Sequence, residues 1–228
     1  MTEQHLSGQS PDSPATPVEV AEDLIGRLAT ALDAMTLDDP DARDYAVRLV
    51  VEMRAAALSR NPQSPEGLAP PEEWQRFMAG RKQGADTPIL DALQPLSPIL
   101  TWIRADHFYP EPENAYFAER LWGAMLVGQD DAMFLAEGRY IALLFILFPN
   151  TTYPLHAHRI EELYVVLSGE ADWSHDGESW TTLPPGSAFH NHSYQPHAIR
   201  AGREPLVSMG LYLPPFGWEN ALITQEAG

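Results

Sequence analysis

The sequence contains no cysteine, few basic residues and no long apolar run, and each absence excludes a class of protein. Without cysteine the chain forms neither disulfides nor thiolate metal sites, so histidine and carboxylate side chains are the strong metal ligands that remain. The 14 lysines and arginines stand against 32 acidic residues, which gives a net charge of −18. Because binding to nucleic acid requires a basic surface, we expect no nucleic-acid partner.

The apolar stretches are too short for a membrane helix. The longest, Tyr140 to Pro149, has the length of a strand, whereas a membrane-spanning helix needs about 20 apolar residues. The opening segment MTEQHLSGQSPDSP lacks the basic start and the apolar centre of a signal peptide. We therefore expect no membrane span and, by default, a cytoplasmic location.

The first part of the chain has the periodicity of helices. Residues 1–17 are rich in Ser, Pro and Gln and predict a disordered tail. Val20, Leu24 and Leu28 then recur at every fourth position, which predicts an amphipathic helix. Similar patterns predict a helical region over residues 18–138, with further helices over 41–59, from about residue 71, over 89–93 and over 114–127.

From residue 139 the pattern changes to short alternating segments. Turn signals separate them, including Pro-Asn, Ser-Gly, Asp-Gly and Pro-Gly pairs. Short segments at this spacing predict a sandwich or a barrel. The fold class expected is therefore α+β, with an N-terminal α-helical region packed on a C-terminal β-barrel over residues 139–228. The two regions are expected either as separate units or as one continuous structural unit.

Four polar residues in this second part form two pairs, and the two members of each pair face the same way on a predicted strand. His156 and His158 alternate on one strand, and Glu162 and Tyr164 alternate on the next. Burying such groups without partners is costly, and a bound cation would remove that cost. Imidazole with one carboxylate suits Zn, Fe, Mn, Ni or Co. The pattern predicts one divalent transition metal ion.

The spacing of these residues resembles the first cupin motif, HxH-x3-E-x6-G, from His156 to Gly169. The segment Pro196-His197-Ala-Ile-Arg resembles the second cupin motif, in which a histidine completes the ligand set. The resemblance implies a jelly-roll-like cupin barrel with His197 as the fourth ligand. The match departs from the family at Asn150, where glycine is usual, and in the second motif, so His190 and His192 remain alternative ligands.

Tyr164 gives the predicted site a chemical character. A tyrosine beside a divalent cation loses its proton more easily and can then act as a general base. The same residue is also common in strands for packing alone. The position of Tyr164 in the sequence does not distinguish a general base from a packing residue.

The arrangement as a whole resembles the cupin dimethylsulfoniopropionate (DMSP) lyases. The residues that carry this lie in LHAHRIEELYVVLSGEADW and QPHAIRA, and the length and the helical first half look most like the DddL type. The resemblance implies a carbon–sulfur lyase that cleaves a small zwitterionic sulfonium substrate to dimethyl sulfide and acrylate. Tyr164 would then remove the proton next to the metal-bound carboxylate.

Aromatic side chains are candidates for contact with the sulfonium, because a cation is attracted to the faces of aromatic rings. Tyr153 and Tyr212 are also candidate proton carriers. A homo-oligomer is a further expectation, since cupins often pair. The candidate substrate-binding residues are Tyr153, Trp173, Trp180, Tyr194 and Tyr212.

Three other functions fit a metal-binding cupin. An iron dioxygenase or a sugar isomerase would use the same ligands. A ligand-binding sensor would use the helices to bind DNA. The first 60 residues oppose the sensor, since they hold five arginines against eleven acidic residues.

Overall fold

The computed structural model describes residues 14–64, 66–81, 88–217 and 220–223. Most of the tail predicted over residues 1–17 lies outside these ranges. Within them, no helix is both long and apolar enough to cross a membrane. The helices of the described residues are α1 (Pro17–Ala34), α2 (Pro40–Ala55), α3 (Glu72–Gly80), α4 (Pro88–Leu93) and α5 (Ala115–Ala118), with three short 3-10 turns at Gln94–Ile99, Ala105–His107 and Pro112–Asn114.

The described strands fall mainly after residue 100. They are β1 (Ser59–Arg60), β2 (Trp102–Arg104), β3 (Leu121–Gly128), β4 (Phe134–Leu135), β5 (Ile141–Leu147), β6 (Thr152–His158), β7 (Glu162–Ser168), β8 (Ala171–Ser174), β9 (Thr181–Leu183), β10 (Ala188–Asn191), β11 (His197–Ala201), β12 (Leu206–Tyr212) and β13 (Asn220–Leu222).

The strands form two sheets. The larger has eight strands, seven of them in the order β1-β4-β3-β5-β12-β7-β10, with β2 paired to β3. The smaller has the order β13-β6-β11-β8-β9. Side chains of both sheets share one apolar cluster, for example Phe145 and Val166 from the larger with Trp173 and Ile199 from the smaller. The two sheets therefore pack face to face, and the site described below lies between them.

The first two helices cover the outer face of the larger sheet. Helix α1 begins with a capping box, in which Thr16 and Glu19 bond each other's backbone N–H. Its Leu28 and the Leu49 of α2 are fully buried and join the cluster that contains Leu163 of β7. The result is a layer of helices on a sheet, which confirms the predicted α+β class with N-terminal helices.

The helix predicted over residues 114–127 is wrong. Only Ala115–Ala118 is helical, and Leu121–Gly128 is strand β3. The segment LWGAMLV is apolar on both faces, and such a run does not distinguish a buried helix from a buried strand. Its Leu126 packs toward the helices, whereas Leu121 belongs to the cluster between the sheets. Tertiary packing thus decides the conformation.

Four strands, β1 to β4, lie before residue 139. Strand β3 pairs with β5, which lies after that position. The region predicted as helical over 18–138 therefore also supplies strands to the larger sheet. The domain boundary after residue 138 stays a prediction.

Candidate active site

Two adjacent strands of the smaller sheet and one strand of the larger sheet position the predicted metal ligands. Strand β6 carries His156 and His158, and β11 carries His197, which is the register partner of His156. A turn at residues 159–161 leads into β7, which begins at Glu162. All four side chains are buried. The chain thus brings together the four ligands predicted from the motifs, named here the inner histidine cluster.

The distances within the inner histidine cluster suit one ion. A ring nitrogen from each histidine lies within 4.8 Å of the others. The Oε1 atom of Glu162 is 2.9 Å from Nε2 of His197 and 3.4 Å from Nε2 of His158. Three imidazoles and one carboxylate in this arrangement form a donor set for a divalent transition metal.

Backbone carbonyls fix the orientation of each ring. The Nδ1 atom of each histidine lies 2.8 to 2.9 Å from a backbone carbonyl oxygen. The carbonyl belongs to Pro154 for His156, to Ile160 for His158 and to Gln195 for His197. A carbonyl only accepts, so Nδ1 carries the proton and Nε2 keeps its lone pair, as in metal-ligating histidines. Because Nε2 of His197 carries a lone pair, Oε1 of Glu162 at 2.9 Å gives no hydrogen bond to this buried nitrogen. The cluster therefore fits a metal ion, which would satisfy this atom.

The electrostatics of the cluster favour the metal-binding protonation states of His156 and Glu162, whereas at His158 burial is outweighed by the Glu162 carboxylate, which raises the pKa. Burial, and then the neighbouring His197, lower the pKa of His156 well below its usual value. Burial would raise the pKa of Glu162, but His158 and His197 outweigh it and hold that pKa well below its usual value. A neutral imidazole and an ionised carboxylate are the forms that act as ligands.

Asn191 on β10 orients the carboxylate, and the sequence patterns did not predict it. Its Nδ2 donates to Oε1 of Glu162 at 2.8 Å, and its Oδ1 lies 3.0 Å from Nε2 of His175. Asn191 is the register partner of Glu162. Only this cross-strand pairing would reveal the contact, and the pairing is not visible in the sequence.

Tyr164 lies on the same face as Glu162, as its spacing predicts. It is hydrogen-bonded to Tyr212 of β12, and Tyr212 is hydrogen-bonded to Glu162. Burial, and then the charge of Glu162, raise the pKa of Tyr164 well above its usual value. Space for the Tyr212 hydroxyl depends on Gly210, where an added Cβ would lie 2.5 Å from that oxygen.

A bulge brings Tyr153 into the same site. The pairing of β6 with β11 shifts between His197 and Ile199, so that Tyr153 and His156 lie on one side despite their odd spacing. The Tyr153 ring stacks on His156 with centroids 3.9 Å apart, and its hydroxyl is 2.8 Å from that of Tyr109. Tyr109 lies in the segment between β2 and β3 and was not predicted as a site residue.

A cavity of about 150 Å³ opens beside the inner histidine cluster. Ring and apolar side chains make most of its wall, and the exposed Asp131 lies at its edge. Several come from β2, β3 and β5, where the sequence showed only an excess of large apolar groups. The residues around it are Ile103, Ala105, Phe108, Tyr109, Leu121, Trp122, Gly123, Met125, Asp131, Leu143, Phe145, Tyr153, His156, His158, Glu162, Tyr164 and Tyr212.

Three of the five predicted substrate residues do not line this cavity. Trp173 is buried in the core, with its ring centroid 5.1 Å from that of Tyr164. Trp180 lies under the guanidinium of Arg200, which is 3.5 Å from its ring centre. Tyr194 is 60% exposed. The structure brings Tyr153 and Tyr212 to the cavity and leaves Trp173, Trp180 and Tyr194 outside it.

His190 and His192 are not part of the inner histidine cluster. On β10, His190 is the register partner of Leu163, so it lies on the face of the sheet opposite to Asn191 and Glu162. Together with Asp39, the two histidines form a separate group of possible ligands. The incomplete match to the second cupin motif left His190, His192 and His197 as alternative ligands. Of these three, His197 lies beside His156 and His158.

Comparisons with known proteins relate this chain to one enzyme family. The dimethylsulfoniopropionate lyase family model matches residues 46–208. DMSP lyase DddQ of Ruegeria pomeroyi is 37% identical over 99 residues, which cover 43% of this chain and 48% of that protein. The match thus spans about half the length of this curated relative.

Two solved structures share the fold. The crystal structure of DddQ from Ruegeria pomeroyi has a TM-score of 0.64 and 20% identity, covering 89% of this chain and 95% of that one. A structure described as DMSP lyases RdDddP and RnDddQII has a TM-score of 0.64 and 21% identity, covering 90% and 98%. The named relatives are of the DddQ type, so the likeness to the DddL type is not supported. The match of the family model over most of the chain shows that this protein belongs to the DMSP lyase family, a family of carbon–sulfur lyases.

Proposed function

We propose that this protein cleaves DMSP to dimethyl sulfide and acrylate by β-elimination, with Tyr164 as the base. The observation that carries the proposal is the position of the Tyr164 phenol. It lines the same cavity as His156, His158 and Glu162. A cation site and a proton acceptor therefore face one small volume, which is what removal of a proton next to a carboxylate requires.

The inner histidine cluster would hold the metal through Nε2 of His156, His158 and His197 and through the Glu162 carboxylate. When bound, a divalent ion supplies positive charge that makes the C–H next to a coordinated substrate carboxylate more acidic and favours the phenolate form of a nearby tyrosine. The same ligands suit Zn, Fe, Mn, Ni or Co. The identity of the ion is part of what the experiment below determines.

The Tyr164 phenolate would take the proton from the carbon next to the substrate carboxylate. The electron pair of that C–H bond forms the double bond of acrylate. The bond between the β carbon and sulfur breaks, and its electron pair leaves with dimethyl sulfide. The proton stays on the Tyr164 oxygen until it passes to solvent, and the hydrogen bond between Tyr164 and Tyr212 provides a first step of that transfer.

The cavity wall suits a sulfonium cation. Tyr153, Phe145 and Trp122 present aromatic rings to the cavity, and rings attract cations. Burial of such rings also excludes water, which strengthens the attraction. Asp131 adds a carboxylate at the edge that favours approach of a positive group. These residues replace Trp173, Trp180 and Tyr194 in the proposed substrate site.

The proposal is tested by measuring dimethyl sulfide in the headspace together with acrylate in solution. The purified protein is stripped of metal, reloaded separately with Zn, Fe, Mn, Ni or Co, and given DMSP. We expect equal amounts of both products with at least one metal and none from the stripped protein. The absence of dimethyl sulfide with every metal would contradict the proposal. Oxygen uptake without release of dimethyl sulfide would favour a dioxygenase. The cytoplasmic location and the homo-oligomeric state stay predictions.

A further inference from the structure

A second group of histidines and carboxylates lies on the outer face of the larger sheet. It consists of Asp39 before α2, His190 on β10 and His192 just after it, with ligand atoms that all lie within 4.8 Å of one another. Glu161, in the turn before β7, also approaches both histidines. We name Asp39, His190 and His192 the outer histidine cluster.

His190 is the buried member of the outer histidine cluster. Its side chain is only 3% exposed, and its Nε2 lies 3.0 Å from Oε1 of Glu161. The carboxylate accepts a hydrogen bond from the Nε2–H group, so the neutral ring has its lone pair on Nδ1. Among the described residues Nδ1 has no hydrogen-bond partner, although it is buried. A buried nitrogen of this kind is costly unless it is satisfied.

The unsatisfied Nδ1 of His190 points to a charged oxygen that is too far away for a hydrogen bond. Oδ2 of Asp39 lies 4.0 Å from it. The other oxygen of the same carboxylate, Oδ1, caps α2 by accepting from the Asp41 backbone N–H at 3.1 Å. Asp39 therefore leaves one oxygen for a further partner. Two ligands of one ion lie about 3.3 Å apart in tetrahedral geometry, since metal–nitrogen and metal–oxygen bonds are each about 2 Å, so a small movement of the Asp39 carboxylate would bring both atoms to one ion.

His192 completes the group from the solvent side. Its ring centroid is 4.6 Å from that of His190, and the ring is about half exposed. Nε2 of His192 lies 3.7 Å from Asp41, and Nδ1 lies 3.8 Å from Glu161. Two imidazoles with carboxylates around them bind divalent transition metals in preference to Mg²⁺ or Ca²⁺, because those two ions favour oxygen ligands.

We propose that the outer histidine cluster is a second metal site, which binds a divalent transition metal such as Zn²⁺ through Asp39, His190 and His192. The Glu161 carboxylate holds the His190 ring by its other nitrogen, as carbonyls do in the inner histidine cluster. The site joins the start of α2 to the end of β10. Its role is to fasten the helical layer to the larger sheet, and it does not depend on the proposed lyase activity.

The test counts zinc ions per chain in the full-length protein. Wild type and variants are dialysed against the same buffered free Zn²⁺, and bound zinc is measured by mass spectrometry. Asp39→Asn keeps the helix cap, since Asn is an equally good N-cap residue, and His192→Ala changes a half-exposed ring. We expect each to bind one zinc ion fewer than wild type. Asp44→Asn and His107→Ala, which change exposed residues outside the cluster, should bind as many as wild type.

The count separates this proposal from the proposed function. In His156→Ala, which disables the inner histidine cluster, one zinc ion should remain, and the added change Asp39→Asn should remove it. Equal zinc content in wild type, Asp39→Asn and His192→Ala would overturn the second site, whatever the lyase assay shows. Loss of zinc only in His156→Ala would overturn it as well.

Discussion

The two histidine clusters lie on opposite sides of the strand pair β7 and β10, and the histidines of the inner cluster come from β6 and β11 of the smaller sheet. Glu162 and Asn191 face the space between the sheets, while Glu161 and His190, one position away on each segment, face the helices. Similar residue types are therefore placed in two environments. In the inner histidine cluster every ring is buried and fixed by a carbonyl, whereas in the outer one the only buried ring is His190.

The two clusters differ in the features that catalysis requires besides histidine ligands. The inner histidine cluster borders a cavity with phenols on its wall, among them Tyr164. Beside the outer cluster, the phenol of Tyr45 is already engaged, donating to the Glu161 carbonyl and accepting from the Leu213 N–H, each at 2.8 Å. We therefore expect catalysis from the inner cluster and only structural binding from the outer.

The largest effect is expected from His197→Ala. This change removes one of the four buried ligands and the imidazole nearer to the Glu162 carboxylate, so we expect loss of the inner metal ion and of dimethyl sulfide release down to background. Metal content and headspace sulfide are measured on the same sample, with His107→Ala as the control. Unchanged metal content would remove His197 from the ligand set.

A second large effect is expected from Gly210→Ala. The added Cβ would meet the Tyr212 hydroxyl at 2.5 Å, so the ring must move and its hydrogen bonds to Tyr164 and Glu162 are disturbed. We expect a free-energy loss of about 1–3 kcal/mol, typical of overpacking, and a lower kcat. Chemical denaturation and steady-state kinetics measure the two. Gly26→Ala is the matched control, because nothing lies within 4 Å of its added Cβ.

A smaller effect is expected from Asn191→Ala. This change removes the hydrogen bond that orients Glu162 and leaves all four ligands in place. Loss of such an orienting partner typically lowers metal affinity about 10- to 100-fold. Zinc affinity is measured by competition with a chelator, and Asn114→Ala, which removes a hydrogen bond to the carboxylate of Glu111, serves as the control. An affinity equal to that of wild type would show that the strand alone orients Glu162.

An effect on stability alone, without a change in lyase activity, is expected at the outer histidine cluster. If zinc binds only the folded state there, zinc at 100 times its dissociation constant adds about 2.7 kcal/mol. In the His156→Ala background, zinc should therefore raise the midpoint of unfolding, and Asp39→Asn added to that background should abolish the rise. A rise that persists without Asp39 would contradict a structural role for this site.

Sequence patterns predicted the inner histidine cluster because its geometry is mostly local. His156 and His158 occupy alternate positions on β6, and Glu162 and Tyr164 do so on β7, so the two-residue period of a strand gives each pair a common face. Tyr153 joins the site only through a bulge, which breaks that period.

Other parts of the site depend on long-range packing. Asn191, Tyr109 and Phe145 reach it from strands and turns whose positions follow from sheet pairing, which the sequence does not display. Strand β3 was predicted as a helix for a related reason, since a fully apolar segment carries no period. The helices α1 and α2 were predicted well because each keeps one apolar stripe and a polar outer face.

The central claim is that Tyr164 provides the base beside a metal held by the inner histidine cluster. It is tested most directly by comparing Tyr164→Phe with wild type at equal metal content, with the exposed Tyr116→Phe as control. The account predicts that the variant keeps its metal while dimethyl sulfide release falls about 10²- to 10⁴-fold, the usual contribution of a general base. Release at the wild-type rate from metal-loaded Tyr164→Phe would contradict it.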